Sequence, residues 1–305
     1  YNSLFRSLVF KKPGYRILAE VVMTKLINGK EIAQDLRNSL KKEIQELKQK
    51  IGKVPGLAVV QVGTVAASSV YVKAKSKSAK EVGIDVIDHH LPEETSQKEL
   101  LNLVNKLNDN ENVNGILVQL PLPKQIDKQN IIKAISPHKD VDGLHPLNVG
   151  NLSSGYQGSI PCTPLGCYYL LKKIEPNLKG KKAVMVGRSN LNGKAMTQLL
   201  LQEDCTVTIT HSKTKDLRGE CQQADVIVAA VGISELIKAD WVKKDAIVID
   251  VGINKTEKGI VGDVAFDQVS KVAKALTPVP GGVGPMTIAC LLKNTIECFK
   301  RSKNN

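Results

Sequence analysis

Ten residues, YVKAKSKSAK at 71–80, hold four lysines. An amine can move protons, pair with an acidic partner or simply solvate a helix face, and its position decides which. On a helical wheel at about 100° per residue, started at Ser68, the lysines Lys73, Lys77 and Lys80 fall together at about 120–180°. That face reads as solvated. Lys75 falls almost opposite, at about 340°, beside Ser68, Tyr71, Val72, Ala79 and Val82. An amine drawn into a partly apolar pocket holds its proton less tightly. So tuned, it moves protons near neutral pH. The same position equally suits a lysine whose stem follows the helix edge and whose head reaches water. The wheel alone does not choose.

A second stretch, VMVGRSNLNGKAM at 184–196, reads as strand, glycine turn and helix. Gly187 and Gly193 make an imperfect match to the GxGxxG dinucleotide turn, with Ser189 where the second glycine usually stands. Helix N-terminal amides can hold a pyrophosphate there, although an ordinary strand-to-helix turn would look the same. The following strand ends in THSKT at 210–214. An NAD site usually offers an Asp or Glu near that point for the ribose 2′-hydroxyl. Here stand Ser212 and Lys213, with Arg188 in the turn itself and His211 nearby in no assigned role. Cations and hydroxyls in place of an acid suit a 2′-phosphate, which makes NADP the expected cofactor.

The elements that must carry these groups alternate. Apolar positions at Ile32, Leu36, Leu40, Ile44, Leu47 and Ile51 predict an amphipathic helix over 30–51. The pattern then predicts a strand at 56–63, a helix at 66–82, a strand at 84–87, a helix at 96–107 and a strand at 115–120. After a Gly/Ser-rich stretch at 148–159 the pattern restarts with a helix at 163–173. Strands at 181–187, 206–211, 226–232 and 246–252 follow, with a helix at 191–202 between the first two. A last helix covers 286–300. Near-continuous apolar strands of this kind are buried on both faces, as in doubly wound parallel sheets.

The chain of 305 residues is 42% hydrophobic and 24% charged, enough for one large or two ordinary cored domains. It carries 43 Lys+Arg against 30 Asp+Glu, a formal charge of +13, and that field attracts anions. Aromatics are only 4%, too few to favour a single-strand nucleic-acid binder. No apolar run approaches the ~18–20 residues of a membrane span. The six cysteines form no CxxC pair and no His cluster accompanies them, so no metal is expected and the thiols read as reduced. Residues 1–22 carry Arg6, Lys11, Lys12 and Arg16 before the first acid, Glu20. They are read as a tag, a presequence or an untranslated-region remnant, with Met23 the favoured start. A cytoplasmic location is expected, or a mitochondrial one if residues 1–22 belong to a presequence.

Taken together, YVKAK, VQLPLP (118–123), DVDGLHPLNVG (140–150), PCTPLGC (161–167), GRSNLNGK (187–194), HSKT (211–214), DVGIN (250–254) and TPVPGGVGPMT (277–287) resemble the bifunctional methylenetetrahydrofolate dehydrogenase/methenyltetrahydrofolate cyclohydrolase family. The blocks fall in the family's order from Met23 to about Phe299, and DVDG and PGGVGPMT are the most specific. The resemblance implies an α/β protein with a cleft between two domains. One is an N-terminal α/β folate-binding catalytic domain over 23–160, to which the C-terminal helix at 286–305 returns. The other is a Rossmann-like NADP-binding domain over 161–285. It further implies NADP-dependent oxidation of 5,10-methylenetetrahydrofolate and hydrolysis of the methenyl product to 10-formyltetrahydrofolate, and a homodimer by analogy.

By the same resemblance Lys75 is the proton-transfer residue, Tyr71 orients the folate, Gln119 hydrogen-bonds the lysine and Asp142 holds the polar edge of the pterin. Ser68, Val118, Leu120, Pro280, Gly281 and Gly282 join them at the folate. Thr163, Gly187, Arg188, Ser189, Ser212 and Ile253 occupy cofactor positions. Without the resemblance, Gln119 could merely finish a strand, Tyr71 could be core, and Asp142 could be an ordinary Asp-Gly turn residue. The chain departs from the family pattern in three places. Val65-Ala66-Ala67 replaces Asn-Pro-Ala. Asn192 and Ala195 replace Val and Pro in the cofactor turn, which puts the cofactor preference in question. Ala265 replaces the second Asp of DVDF. A family member that keeps only one of the two activities is an alternative reading, since one site serves both reactions; a shikimate-type NADP dehydrogenase explains neither PGGVGPMT nor VQLP, and a nucleic-acid binder leaves the glycine turn idle.

Overall fold

The computed structural model describes residues 24–63, 66–257 and 259–304. The expectations for residues 1–22, for Val65 and for the side chain of Ser68 lie outside the described residues.

Strand β1 (Lys25–Leu26) opens the chain and helix α1 (Gly29–Ile51) follows. Asn28 caps α1 through its side chain, and Gly52 ends the helix in the left-handed conformation. Then come β2 (Gly56–Val62), α2 (Ala66–Val82), β3 (Asp85–Leu91), α3 (Gln97–Asp109) and β4 (Gly115–Val118). A Ser96/Glu99 capping box starts α3. Two short helices follow, α4 (Lys128–Ala134) and α5 (Pro146–Ser154). The stretch 148–159 reads as Gly/Ser-rich, with the regular pattern restarting only after it. Proline in the first turn, the His145 ring as cap and Gly155 as terminator make the first half of it helical instead.

The second half contains α6 (Cys162–Ile174), β5 (Lys182–Val186), α7 (Gly193–Gln202), β6 (Thr206–Thr210), α8 (Leu217–Gln222), β7 (Val226–Ala229) and β8 (Ile247–Asp250). An antiparallel hairpin of β9 (Asn254–Thr256) and β10 (Gly259–Val261) precedes α9 (Phe266–Val269), β11 (Ala275–Leu276) and α10 (Val283–Asn304).

These strands build two parallel sheets. The smaller runs β3-β2-β4 and the larger β1-β11-β8-β7-β5-β6. The chain thus gives an edge strand to the larger sheet before it builds the smaller one. In the larger sheet β5 lies between β6 and β7, so the chain reverses direction at β5, where such sheets bind nucleotides at their C-terminal edges. One continuous core joins the halves, from Val59 and Leu117 of the small sheet through Cys290 and Leu291 of α10 to Met185 and Ile249 of the large one. Helix α10 packs on α6 and also on α1 and α2. No described helix is long and apolar enough to cross a membrane.

Two backbones meet where α1 starts. The amide of Lys30 donates to the carbonyl of Gly281 at 3.1 Å. A Cβ on Gly29 would lie 1.8 Å from the carbonyl oxygen of Gly282. We therefore expect Gly29→Ala to push the 280–282 loop away and to destabilise the protein by roughly 1–3 kcal/mol, the range for overpacking. Urea denaturation checks this; an unchanged midpoint would mean that the loop yields without cost.

Candidate active site

Helix α2 is held by Val72, Ala79 and Val82, all buried against the small sheet. Lys75 lies on that buried side and is only 7% exposed. Its Nζ donates to Gln119 Oε1 at 3.0 Å and sits 5.7 Å from the centroid of the Tyr71 ring. Gln119 lies just past β4, where its backbone amide extends the ladder by donating to Val60 at 2.8 Å. Its Nε2 donates to the Leu120 carbonyl at 2.5 Å, which turns the amide oxygen toward the lysine. An ammonium can only donate, so this orientation is the one the pair requires. Lys73, Lys77 and Lys80 line an open surface groove with Ser76 and Asp88, and Lys80 pairs with Asp88 at 3.3 Å. The helix thus separates three solvated lysines from one buried amine, as the wheel did.

The tyrosine reaches toward the other half of the molecule. Its hydroxyl lies 3.5 Å from the Gly284 carbonyl, and burial pushes its phenol pKa up. This contact sets the 280–284 loop, which leads into α10, against the α2 face that carries Lys75. Pro280, Gly281 and Gly282 therefore stand between Tyr71 and the start of α1.

The loop after α4 presents two acids with different work. Asp140 is 2% exposed; its Oδ1 accepts the Gly143 amide at 3.0 Å, and its Oδ2 accepts the His145 amide at 2.8 Å and Asn148 Nδ2 at 2.9 Å. Asp140 is the turn residue, which leaves Asp142 free of that job. Asp142 lines a narrow crevice with Val118, Leu120 and Leu144. Burial pushes its carboxyl pKa up, and the charge of Lys75 pulls it back down. Asn294 on α10 donates to the carbonyls of Val141 and Ile160, each at 2.8 Å, and so joins this loop to the start of α6. Cys162 Sγ lies 3.9 Å from Asp142 Oδ1. Sequence reasoning missed Asp140 and Asn294. An Asp three residues before a glycine, and an Asn inside an apolar helix stripe, were the available signals.

The cofactor positions gather at the C-terminal edge of the larger sheet. Gly187 (φ +116°) follows β5, and a Cβ there would lie 2.4 Å from the Ala230 carbonyl oxygen. A Cβ on Gly193 would lie 2.1 Å from the Gly187 carbonyl oxygen. Only glycines allow the strand and α7 to approach so closely. Asn192, at the start of α7, makes no side-chain cap, and the Lys194 amide in the first turn donates to the Ser189 carbonyl at 3.1 Å. Arg188, Lys194 and Lys213 are exposed and have no carboxylate partner among the described residues. This edge fits a phosphorylated dinucleotide: backbone amides for the pyrophosphate and free cations for a further phosphate. Ser189 and Ser212 stand exposed in the turns after β5 and β6, and Ile253, 61% exposed, follows β8. Thr163 stands in the first turn of α6, its Oγ1 3.1 Å from Thr287 Oγ1 of α10.

A nucleotide edge on one sheet and a buried amine on another, joined by one loop and one helix, define a two-domain dinucleotide-dependent α/β enzyme. Comparison with known proteins narrows this class. Residues 27–142 match the profile of the tetrahydrofolate dehydrogenase/cyclohydrolase catalytic domain, and residues 161–303 match its NAD(P)-binding domain. The chain belongs to the tetrahydrofolate dehydrogenase/cyclohydrolase family. It is 69% identical to the bifunctional protein FolD of Pelagibacter ubique over 278 residues, covering 91% of this chain and 99% of that one. Its structure is similar to that of the bifunctional FolD enzyme of Campylobacter jejuni, with a TM-score of 0.89 and 49% identity over 92% of this chain and 99% of that one. A Trypanosoma brucei dehydrogenase-cyclohydrolase, solved with NADP and an inhibitor, superposes with a TM-score of 0.88 and 37% identity, covering 93% of this chain and 99% of that one.

At the end of β8, Asp250 is 3% exposed, and burial pushes its carboxyl pKa up to about 6. Three backbone amides, of Asp263, Val264 and Gly252, pull the other way. An unfolded Asp titrates near ~3.9, so the native state binds this proton more tightly. The resulting stabilisation is complete below pH ~4 and is lost as pH rises through ~6, by about 3 kcal/mol at most. Asp250→Asn should therefore cost more stability at pH 4.5 than at pH 7.5, as read by urea denaturation. Equal costs would show that Asp250 does not titrate in this window.

Proposed function

We propose that this cleft oxidises 5,10-methylenetetrahydrofolate with NADP⁺ and then hydrolyses the methenyl product to 10-formyltetrahydrofolate. The observation that carries the reading is the buried Lys75–Gln119 pair facing Tyr71. Its amine touches only a neutral amide and an aromatic face, with no ion pair among the described residues.

NADP⁺, when bound, accepts a hydride from the methylene carbon and leaves a cationic methenyl carbon. Tyr71 packs on the folate, and Asp142, in its crevice with Val118 and Leu120, accepts hydrogen bonds from the pterin edge. The loop at 280–282 and Ser68 complete the folate site. Water adds to the cationic carbon while Lys75 Nζ, acting in this step as the free amine with its ammonium proton already given up to solvent, takes one of the water's protons. The same ammonium returns a proton to the departing ring nitrogen as the C–N bond breaks, and the remaining hydroxyl proton goes to solvent. Gln119 holds Nζ at the reacting carbon throughout. Thr163, Gly187, Arg188, Ser189, Ser212 and Ile253 hold the cofactor, with Arg188 and Ser212 at its 2′-phosphate.

The folate unit in this reading is 23–160 with the returning helix 286–305, and the NADP unit is 161–285 with β1 on its sheet edge. Two copies pair as a homodimer. The open edge of β6 with Ile209, and the exposed Leu147, Val149 and Tyr156, support such a contact. A reducing cytoplasm suits the six buried free thiols.

Lys75→Ala should lower hydrolysis of methenyltetrahydrofolate by about 10²–10⁴-fold, the usual worth of a general base. The fold and NADP⁺ binding should be retained. Hydrolysis at the wild-type rate would remove Lys75 from the mechanism. Sedimentation of the purified chain should give twice the chain mass; a single-chain mass at micromolar concentration would refute the dimer.

A further inference from the structure

Asp263 lies outside the nucleotide turn, and its side chain is completely buried. Its Oδ2 accepts the backbone amides of Val231 at 2.7 Å and Gly232 at 3.0 Å, in the loop after β7. Its Oδ1 accepts Asn254 Nδ2 at 2.9 Å, one residue beyond Ile253 in the loop after β8. One carboxylate thus ties together two loops at the nucleotide edge of the sheet. The anchor is itself fixed, because the Asp263 amide donates to Asp250 Oδ1 at 2.9 Å and so does that of Gly252. No slack remains: a Cβ on Gly252 would lie 2.3 Å from Asp263 Oδ1, and one on Gly262 1.8 Å from Asp250 Oδ2.

The sheet order says which part of a dinucleotide these loops would meet. With β6-β5-β7-β8 as neighbours, the cationic turn after β6 lies on one side of the glycine turn and the loops after β7 and β8 on the other. If the 2′-phosphate end lies at β6, the nicotinamide end lies at β7 and β8. We propose that Asp263 is a positioning residue that fixes residues 231–232 and 253–254 where the nicotinamide half of NADP binds. This rests on the NADP reading of the glycine turn.

Only an acceptor on both oxygens satisfies the site, since all three partners are N–H donors. Asp263→Asn keeps the shape but sets an amide NH₂ against a donor. Calorimetric titration with NADP⁺ and with 2′,5′-ADP, which has the adenosine half alone, separates the roles. For Asp263→Asn, NADP⁺ binding should weaken about tenfold or more, while 2′,5′-ADP binding stays within about twofold of wild type. Asn254→Ser, which removes the Asn254 contacts to Asp263 Oδ1 and to the Gly262 carbonyl but leaves both backbone amides on Oδ2, should give an intermediate loss and guards against a poorly folded first variant. Unchanged NADP⁺ binding, or equal weakening of both ligands, would overturn the proposal. Wild-type protein that bound neither ligand would overturn the NADP reading itself.

Discussion

The buried amide of Asn294 sits where the two halves of the molecule must agree. From the last helix it reaches the carbonyl next to Asp142 and the one that precedes α6. A buried amide leaves its site only by giving up those hydrogen bonds, at about 1–3 kcal/mol for each group left unpaired. The distance between the small sheet and the first helix of the large one is thereby set by a side chain belonging to neither. Everything in the cleft inherits that spacing, from the crevice at Asp142 to the Tyr71 hydroxyl at Gly284.

Division of labour between adjacent like residues runs through the whole site. Of the four lysines in one helix, three solvate it and one is buried against an amide oxygen. Of the two acids in DVDG, the first folds the turn and the second is free to meet a ligand. At the nucleotide edge Asp250 and Asp263 are both spent on backbone amides, while the cations stay exposed and unpaired among the described residues. At that edge the acids hold the loops, and the bases stand outward where an anion must arrive.

Periodicity made the long elements legible. The 4-3 spacing of α1, the apolar runs of β2, β5, β7 and β8 and the wheel of α2 all appear in the fold with small shifts of boundary. The two-residue strands β1 and β11 were not legible, since no pattern can repeat within two residues. Helix α5 was hidden by its own glycine and serines and is held by caps rather than by an apolar stripe. The site divides in the same way. Local spacing set Lys75 apart from its neighbours and marked the glycine turn, and the family resemblance gave them their roles. The work of Asp140, Asn294 and Asp263 depends on partners brought near only by folding, up to 153 residues away for Asn294.

Strand β1 pairs with β11, and Thr24 Oγ1 donates to the Ala273 carbonyl across 249 residues of chain. A ribosome releases Thr24 at a point 249 residues before Ala273. Strand β1 therefore waits without its sheet partner until β11 emerges, while the smaller sheet, built from 56–118, has long since been made. Contacts of such separation are slow to form, and an unfinished sheet edge invites pairing with other chains. For this protein the vulnerable moment in the cell is the interval before residue 276 emerges, and that interval lengthens wherever elongation slows.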